Sequence, residues 1–338
     1  MKKVLLVVLG VMLCVTYLMA TELSVAVVVE SQRGDKAWAD DAYEGFLRLE
    51  EELGLQKTAW IECNEDASLA QSKVIYAAQN FDLVVLVTGR FFMEIVPKVV
   101  PSFPEVSFVS VDAELDLDFD NLYCVSFMQN EASFLAGVCA GLMTTHTQIK
   151  GINEDKMVGF IGGYDVPIIH DFLIGFTDGV AFVDPEIAVK SIFVGTHFDP
   201  AKGKEAAQAL KTAGADVIFH AAGLTGLGVL EASAEMGFFS IGVDSPQEYL
   251  YPGHVITSAL KRWGNTIVWI AESFGDGKPE EKYTVMSINN GGVGLSYSDY
   301  ALDILPASVY LELLKTENLI KNGDLIPKSL YAPGERRF

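Results

Sequence analysis

The sequence predicts an α/β protein in which parallel sheets are covered by helices on both faces and divided between two lobes. Three observations carry this. Short β-branched runs alternate with apolar residues at helical spacing along most of the chain. A polar break, THTQIKGINEDK at Thr145 to Lys156, interrupts the alternation before it restarts at Met157. A strand, helix, strand run near the end offers a path between the lobes. The 338 residues suit about two domains. With 50% hydrophobic and 20% charged residues the chain can fill large cores, which excludes intrinsic disorder.

The first twenty residues, MKKVLLVVLGVMLCVTYLMA, place two lysines before an apolar run that is short for a bilayer span, and close on a small residue. This is the anatomy of an export signal, with cleavage after Ala20. Cys14 keeps lipidation open as the alternative, although Leu13 stands where a small residue is expected. The mature chain then gives strands at Leu23 to Val29, Ala59 to Cys63, Leu83 to Val87, Val106 to Val111 and Leu122 to Phe127, most of them runs rich in Val, Ile, Leu or Phe. Apolar residues at helical spacing fill the gaps: Ala37 to Leu53, Ala67 to Gln79, Phe92 to Val99, and the long pattern Glu131 to Met143. After the break come strands at Val158 to Gly162, Ile187 to Phe193, Val217 to Phe219 and Phe239 to Val243, with helices at Ile168 to Val180, Gly203 to Thr212 and Gly226 to Met236. The return comprises a strand at Val255 to Lys261, a helix at Gly264 to Phe274 and a strand at Tyr283 to Ile288. Residues 21–127 with 255–288 are therefore expected to form the first lobe, and 128–254 with 289–338 the second.

With 24 Lys+Arg against 45 Asp+Glu, the formal charge of −21 and the lack of any basic run exclude a nucleic-acid partner. Cys63, Cys124 and Cys139 are odd in number and widely spaced, which argues against a disulfide framework or a zinc site. The five histidines form no HExxH-like pair, so no metal or cofactor is called for. In open parallel sheets, ligands lie beyond the carboxyl ends of strands. The loops there, rich in aromatics and carboxylates but without a nucleophilic triad, bring forward Glu30, Asp112, Gln129, Tyr164, Gly223 and Asp244. HAAGLTGLG, His220 to Gly228, opens a helix after a strand, yet its glycines fall as GxxGxG and no Walker lysine follows, so a helix-opening turn beside a neutral ligand is favoured over a phosphate loop. Asp244, ending a strand in IGVDSP, reads as an acceptor for ligand hydroxyls or as a helix cap.

The segment GDKAWADDAYEGF, Gly34 to Phe46, resembles the DDKSFNQxxWEG signature of the basic membrane protein group, the PnrA-like substrate-binding lipoproteins. The resemblance continues in family order through VTGRFF, VDAELD, FMQNEASFLAG, HFDPAKG, VIFHAAGLTGLG, IGVD and TSALKR, spanning nearly the whole mature chain. It implies a type I periplasmic-binding-protein fold in which two doubly wound lobes, joined by about three crossovers, clamp a small molecule and deliver it to an ABC permease and ATPase outside the cytoplasmic membrane. It also implies that Trp38 replaces the family's stacking Phe and Phe198 supplies the second aromatic. By the same resemblance Asp112, Asp244 and Lys261 lie at the ligand, the last two near a sugar, and Glu30 stands at a strand-end acid. Ala39 departs from the family, whose Asn at that place reads a purine.

These residues point to a flat heterocycle with a polyol tail. The larger indole at Trp38, the space expected at Ala39 and a ring-carbonyl donor at Arg90 favour riboflavin over a purine nucleoside. A nucleoside-processing enzyme is the competing class, and it would need a nucleophile or base that no motif supplies.

Overall fold

The computed structural model describes residues 23–331 except 65, 89, 113–116 and 276, with Arg90 and Phe91 described by backbone alone. The export signal, Cys14 and the Arg90 side chain lie outside the described residues. The chain runs β1 (Val25–Val29), α1 (Trp38–Leu53), β2 (Thr58–Glu62), α2 (Ala67–Asn80), β3 (Leu83–Val87), α3 (Arg90–Val99), β4 (Ser107–Val111) and β5 (Leu122–Phe127). It continues through α4 (Gln129–Thr144), β6 (Met157–Gly162), α5 (Pro167–Val183), β7 (Ala188–Phe193), α6 (Pro200–Thr212), β8 (Val217–Ala221), α7 (Gly226–Met236), β9 (Phe239–Asp244) and β10 (Val255–Lys261). The last elements are α8 (Trp263–Gly275), β11 (Tyr283–Met286), β12 (Val293–Leu295), α9 (Asp299–Leu302) and α10 (Ala307–Lys321).

Two six-stranded sheets result, ordered β11-β5-β4-β3-β1-β2 and β12-β10-β9-β8-β6-β7. All pairings are parallel except β10 with β12. Central strands bury every residue, as VAVVV in β1 and LVVLV in β3 show, because helices cover both faces of a parallel sheet. Edge strands β2 and β7 are only half-buried.

The chain passes between the sheets after β5, after β10 and after β11. One strand departs from the sequence expectation. Residues 255–261, expected in the first lobe, pair in parallel with β9 in the second sheet. The crossing therefore comes seven residues later than expected, after Lys261, where α8 packs on α1. The segment after Ile288, which the sequence reading left without elements, carries β12, α9 and α10. In α10 the buried Val309, Leu313, Thr316 and Ile320 follow a helical period.

Helix α4 links the two halves and is buried along nearly its whole length. It lies so close to α5 that a Cβ at Gly137 would sit 2.1 Å from the Phe176 carbonyl oxygen, and one at Gly179 would sit 2.0 Å from that of Phe134. Glycine is required there by backbone approach. Burial pushes the Cys63 thiol up to about 11 and Cys139 up to about 12, so both are inert core thiols.

Candidate functional site

The carboxyl ends of the two sheets enclose a cavity of about 380 Å³, within the range of about 300–1,000 Å³ usual for small-molecule sites. The first sheet contributes Glu30 and Ser31 after β1, Thr88 after β3 and Asp112 after β4, and Trp38 opens α1 beside them. The second contributes Tyr164 to Ile169, His197 and Phe198, Ala221 to Gly223, Val243 and Asp244, and Lys261. Three of the strand-end residues, Thr88, Asp112 and Asp244, hold φ values of 46°, 58° and 66°. A left-handed backbone at a non-glycine residue is strained, and strain of this kind concentrates at functional sites.

Local sequence explains how each wall is set. Asp35 accepts the backbone N–H groups of Ala37, Ala39 and Asp40, which caps α1 and fixes Trp38 at its first turn. Across the cleft, Ser245 donates to the Ala37 carbonyl at 3.0 Å and Gln247 to the Lys36 carbonyl at 2.9 Å, tying the loop after β9 to the loop before α1. Asp199 caps α6 just after Phe198. The Tyr164 backbone N–H donates to His197 Nε2 at 3.3 Å, and the two rings meet edge-on at 4.8 Å. The glycines of the GxxGxG run serve packing. A Cβ at Gly226 would meet the buried His220 ring at 2.1 Å and one at Gly228 the Pro200 carbonyl at 1.8 Å, while Gly223, at φ 53°, is the one of the three that lines the cavity.

The charged end of the cavity is buried. Lys261 Nζ lies 2.6 Å from Asp112 Oδ2, with only 3% and 8% of the two side chains exposed. This pair joins β10 of one sheet to β4 of the other. The ammonium also faces the rings of Trp263 at 4.7 Å, Phe127 at 4.8 Å and Phe172 at 5.7 Å, so aromatic faces replace much of its lost water. Asp244 ends β9 next to β10, and its carboxyl is pushed up to about 7. Burial is the main cause. The Lys261 charge and a bond from Trp263 pull it down, and Asp35 and Asp112 push it further up.

Of the sequence-predicted residues, Glu30, Trp38, Asp112, Tyr164, Phe198, Gly223, Asp244 and Lys261 all line this cavity. Gln129 does not. Its amide donates to Asp171 at 2.8 Å inside the α4–α5 contact, where Asp171 also holds Ser329 and Leu330, so it secures the C-terminal segment. Ala39 is buried without lining the cavity, so the space expected beside the ligand is absent. Sequence reasoning missed Met93, Phe172, Val243 and Trp263, which sit inside strands and helices and look like ordinary core residues. A larger groove of about 620 Å³ lies between Gln32 to Glu44 and Ser245 to Tyr249, but it is open and lined by solvated charges such as Arg33.

The whole pattern, with a ligand-sized cavity between two α/β lobes, is matched by a family model described as ABC transporter substrate-binding protein PnrA-like, over residues 22–329. The chain belongs to this family. It is 28% identical over 308 residues to the ABC transporter nucleoside-binding protein BmpA of Lactococcus lactis subsp. cremoris, covering 85% of each chain. Similarity to basic membrane protein A1 of Borrelia garinii subsp. bavariensis is 26% over 247 residues, 72% of this chain and 70% of that one. Among solved structures, a solute-binding protein from Aeropyrum pernix K1 superposes with a TM-score of 0.79 at 24% identity, over 91% of this chain and 94% of that one, which shows the shared fold. The PnrA-like chain is thus an extracytoplasmic substrate-binding component of an ABC transporter and not an enzyme, and its family implies a small-molecule ligand, a permease and an ATPase as partners. No helix among the described residues is long and apolar enough to cross a membrane.

Proposed function

We propose that the cavity binds a nucleoside, with the base between Trp38 and Phe198 and the sugar hydroxyls at Asp112, Asp244 and Lys261. The observation that carries this is the division of one cavity into an aromatic part and a buried, charged end. A flat heterocycle suits the first, and hydroxyl groups suit the second, since charge-assisted hydrogen bonds are worth about 1.5–3 kcal/mol each. The nucleoside-binding name of the Lactococcus relative, which matches over 85% of both chains, supports the same class.

Riboflavin, which the sequence favoured, loses one of its supports because Ala39 does not line the cavity. The indole of Trp38 remains its supporting observation, since a larger plate suits a larger ring. Calorimetry with inosine, adenosine and riboflavin on the purified protein separates them. One-to-one binding of a nucleoside with little heat from riboflavin supports the proposal, and a yellow protein as isolated, or binding of riboflavin alone, overturns it. We also propose that the chain is exported and cleaved after Ala20. Mass spectrometry is expected to find a mature start at Thr21, and a diacylated Cys14 would instead establish a lipid anchor.

A further inference from the structure

Trp263 is among the largest fully buried side chains, and it sits where the aromatic and charged parts of the cavity meet. Its ring lies 5.8 Å from Trp38 at 50° and 4.9 Å from Phe127 at 51°. The Lys261 ammonium stands 4.7 Å from the same ring. Its Nε1 donates to Asp244 Oδ1 at 3.3 Å, at the long edge of the usual range. An indole has a single donor and no acceptor, so this bond is its whole hydrogen-bonding capacity. Among the described residues no side-chain or backbone donor reaches Oδ2 of Asp244.

The indole is held where it is. Trp263 follows Lys261 by two residues at the corner between β10 and α8, and the next residue, Gly264, donates its N–H to Asp41 Oδ2 at 2.9 Å. A Cβ at Gly264 would come within 2.6 Å of the Asp41 carbonyl, so the corner is pressed against α1, the helix that carries Trp38.

We infer that Trp263 is a specificity-determining positioning residue: its N–H occupies Oδ1 of Asp244, leaving Oδ2 as the oxygen for one ligand hydroxyl, and its ring backs the stacking surface of Trp38. This rests on the nucleoside reading for the nature of the ligand. The arrangement makes Asp244 a one-oxygen acceptor, with the indole N–H and Lys261 favouring its charged form against the burial that opposes it. The groups facing it are Lys261 on β10, Asp112 after β4, Asp35 before α1, and Glu30, Asp165 and His197 around the same cavity. Loss of the indole N–H removes one of the two influences that favour its ionised state.

The test uses Trp263→Phe, Asp244→Asn and the double variant. In ligand-free protein, the Asp244 carboxyl is followed by carbon-13 NMR through a pH titration and assigned by its disappearance in Asp244→Asn. Trp263→Phe is expected to move the midpoint up by about one pH unit and to weaken inosine binding about tenfold near pH 6. In the Asp244→Asn background the same change is expected to add only the smaller loss from the reduced ring behind Trp38, because the part that runs through the carboxylate is already gone. An unmoved midpoint, or an equal loss of affinity in both backgrounds, overturns the inference and leaves a packing role alone. If the wild-type protein binds no nucleoside, the proposed function fails, while the ligand-free titration still decides the role of Trp263. Should Trp263→Phe not fold, a benzothienyl side chain at the same position keeps the indole shape without the N–H and gives the same readout.

Discussion

The two sheets meet at the cavity with different chemistry. The first sheet's edge brings acids, Glu30 and Asp112, while the second brings the cation Lys261 together with Asp244 and most of the apolar wall. The Asp112–Lys261 pair spans the gap, so the charged end of the site is also a joint between the lobes. On the proposed reading, ligand binding and contact between the lobes draw on the same side chains.

The largest effect is expected on taking the cation from the second edge. Lys261→Met removes the cation of the buried pair, and removal of one member of such a pair typically costs about 3–5 kcal/mol. Urea unfolding is expected to show that loss, and a variant as stable as the wild type would mean that the joint carries no weight. Next comes the aromatic wall on the first side. Trp38→Ala is expected to weaken nucleoside binding at least tenfold, combining lost area with about 0.5–1.5 kcal/mol of stacking, and unchanged affinity in calorimetry would remove the stacking role.

The pH dependence sharpens the contrast, because Asp244 should act in opposite directions on binding and folding. Its carboxyl moves from an ordinary 3.8 to about 7 in the folded chain, chiefly through burial. The folded state therefore holds a proton that the unfolded chain has released, and this group's contribution to stability is full below pH 3.8 and lost as pH rises to about 7. An ionised carboxylate accepts hydroxyl hydrogen bonds more strongly than the neutral acid, so affinity is expected to fall as pH drops through about 7. Calorimetry and thermal melts from pH 5 to 8, on the wild type and on Asp244→Asn, separate the two. A flat affinity profile would exclude Asp244 from the site. The smallest effect on binding is expected at Gln129, the predicted site residue that lies outside the cavity. Gln129→Leu should cost about 0.5–1.5 kcal/mol of stability with affinity unchanged, and a clear loss of affinity would mean that the α4–α5 contact is coupled to the ligand.

Much of this was legible in the sequence for physical reasons that differ between elements. Strands such as β1 and β3 announced themselves because parallel strands buried on both faces are continuous apolar runs. Asp112 and Asp244 were legible because a carboxylate ending an apolar strand sits at the sheet's ligand edge. The sheet membership of β10 was not, since strand partners are chosen by the fold and not by local pattern. β12 is three residues long and antiparallel, too short to show any period. Trp263 was hidden by its own burial: an indole two residues after a lysine has the look of a core aromatic, and only the structure reveals its bond to Asp244. The error at Gln129 has the same origin, because a polar residue after a strand can turn either to a ligand or to a buried partner such as Asp171.

On the proposed function, one cavity built from both sheets binds a nucleoside through Trp38 at one end and the Asp112–Lys261–Asp244 cluster at the other. Calorimetric titration of inosine into the wild type and into Trp38→Ala and Asp244→Asn tests it most directly. One-to-one binding by the wild type, with each variant at least tenfold weaker, is the predicted result. Absence of nucleoside binding by the wild type, or equal affinity in all three proteins, would contradict it.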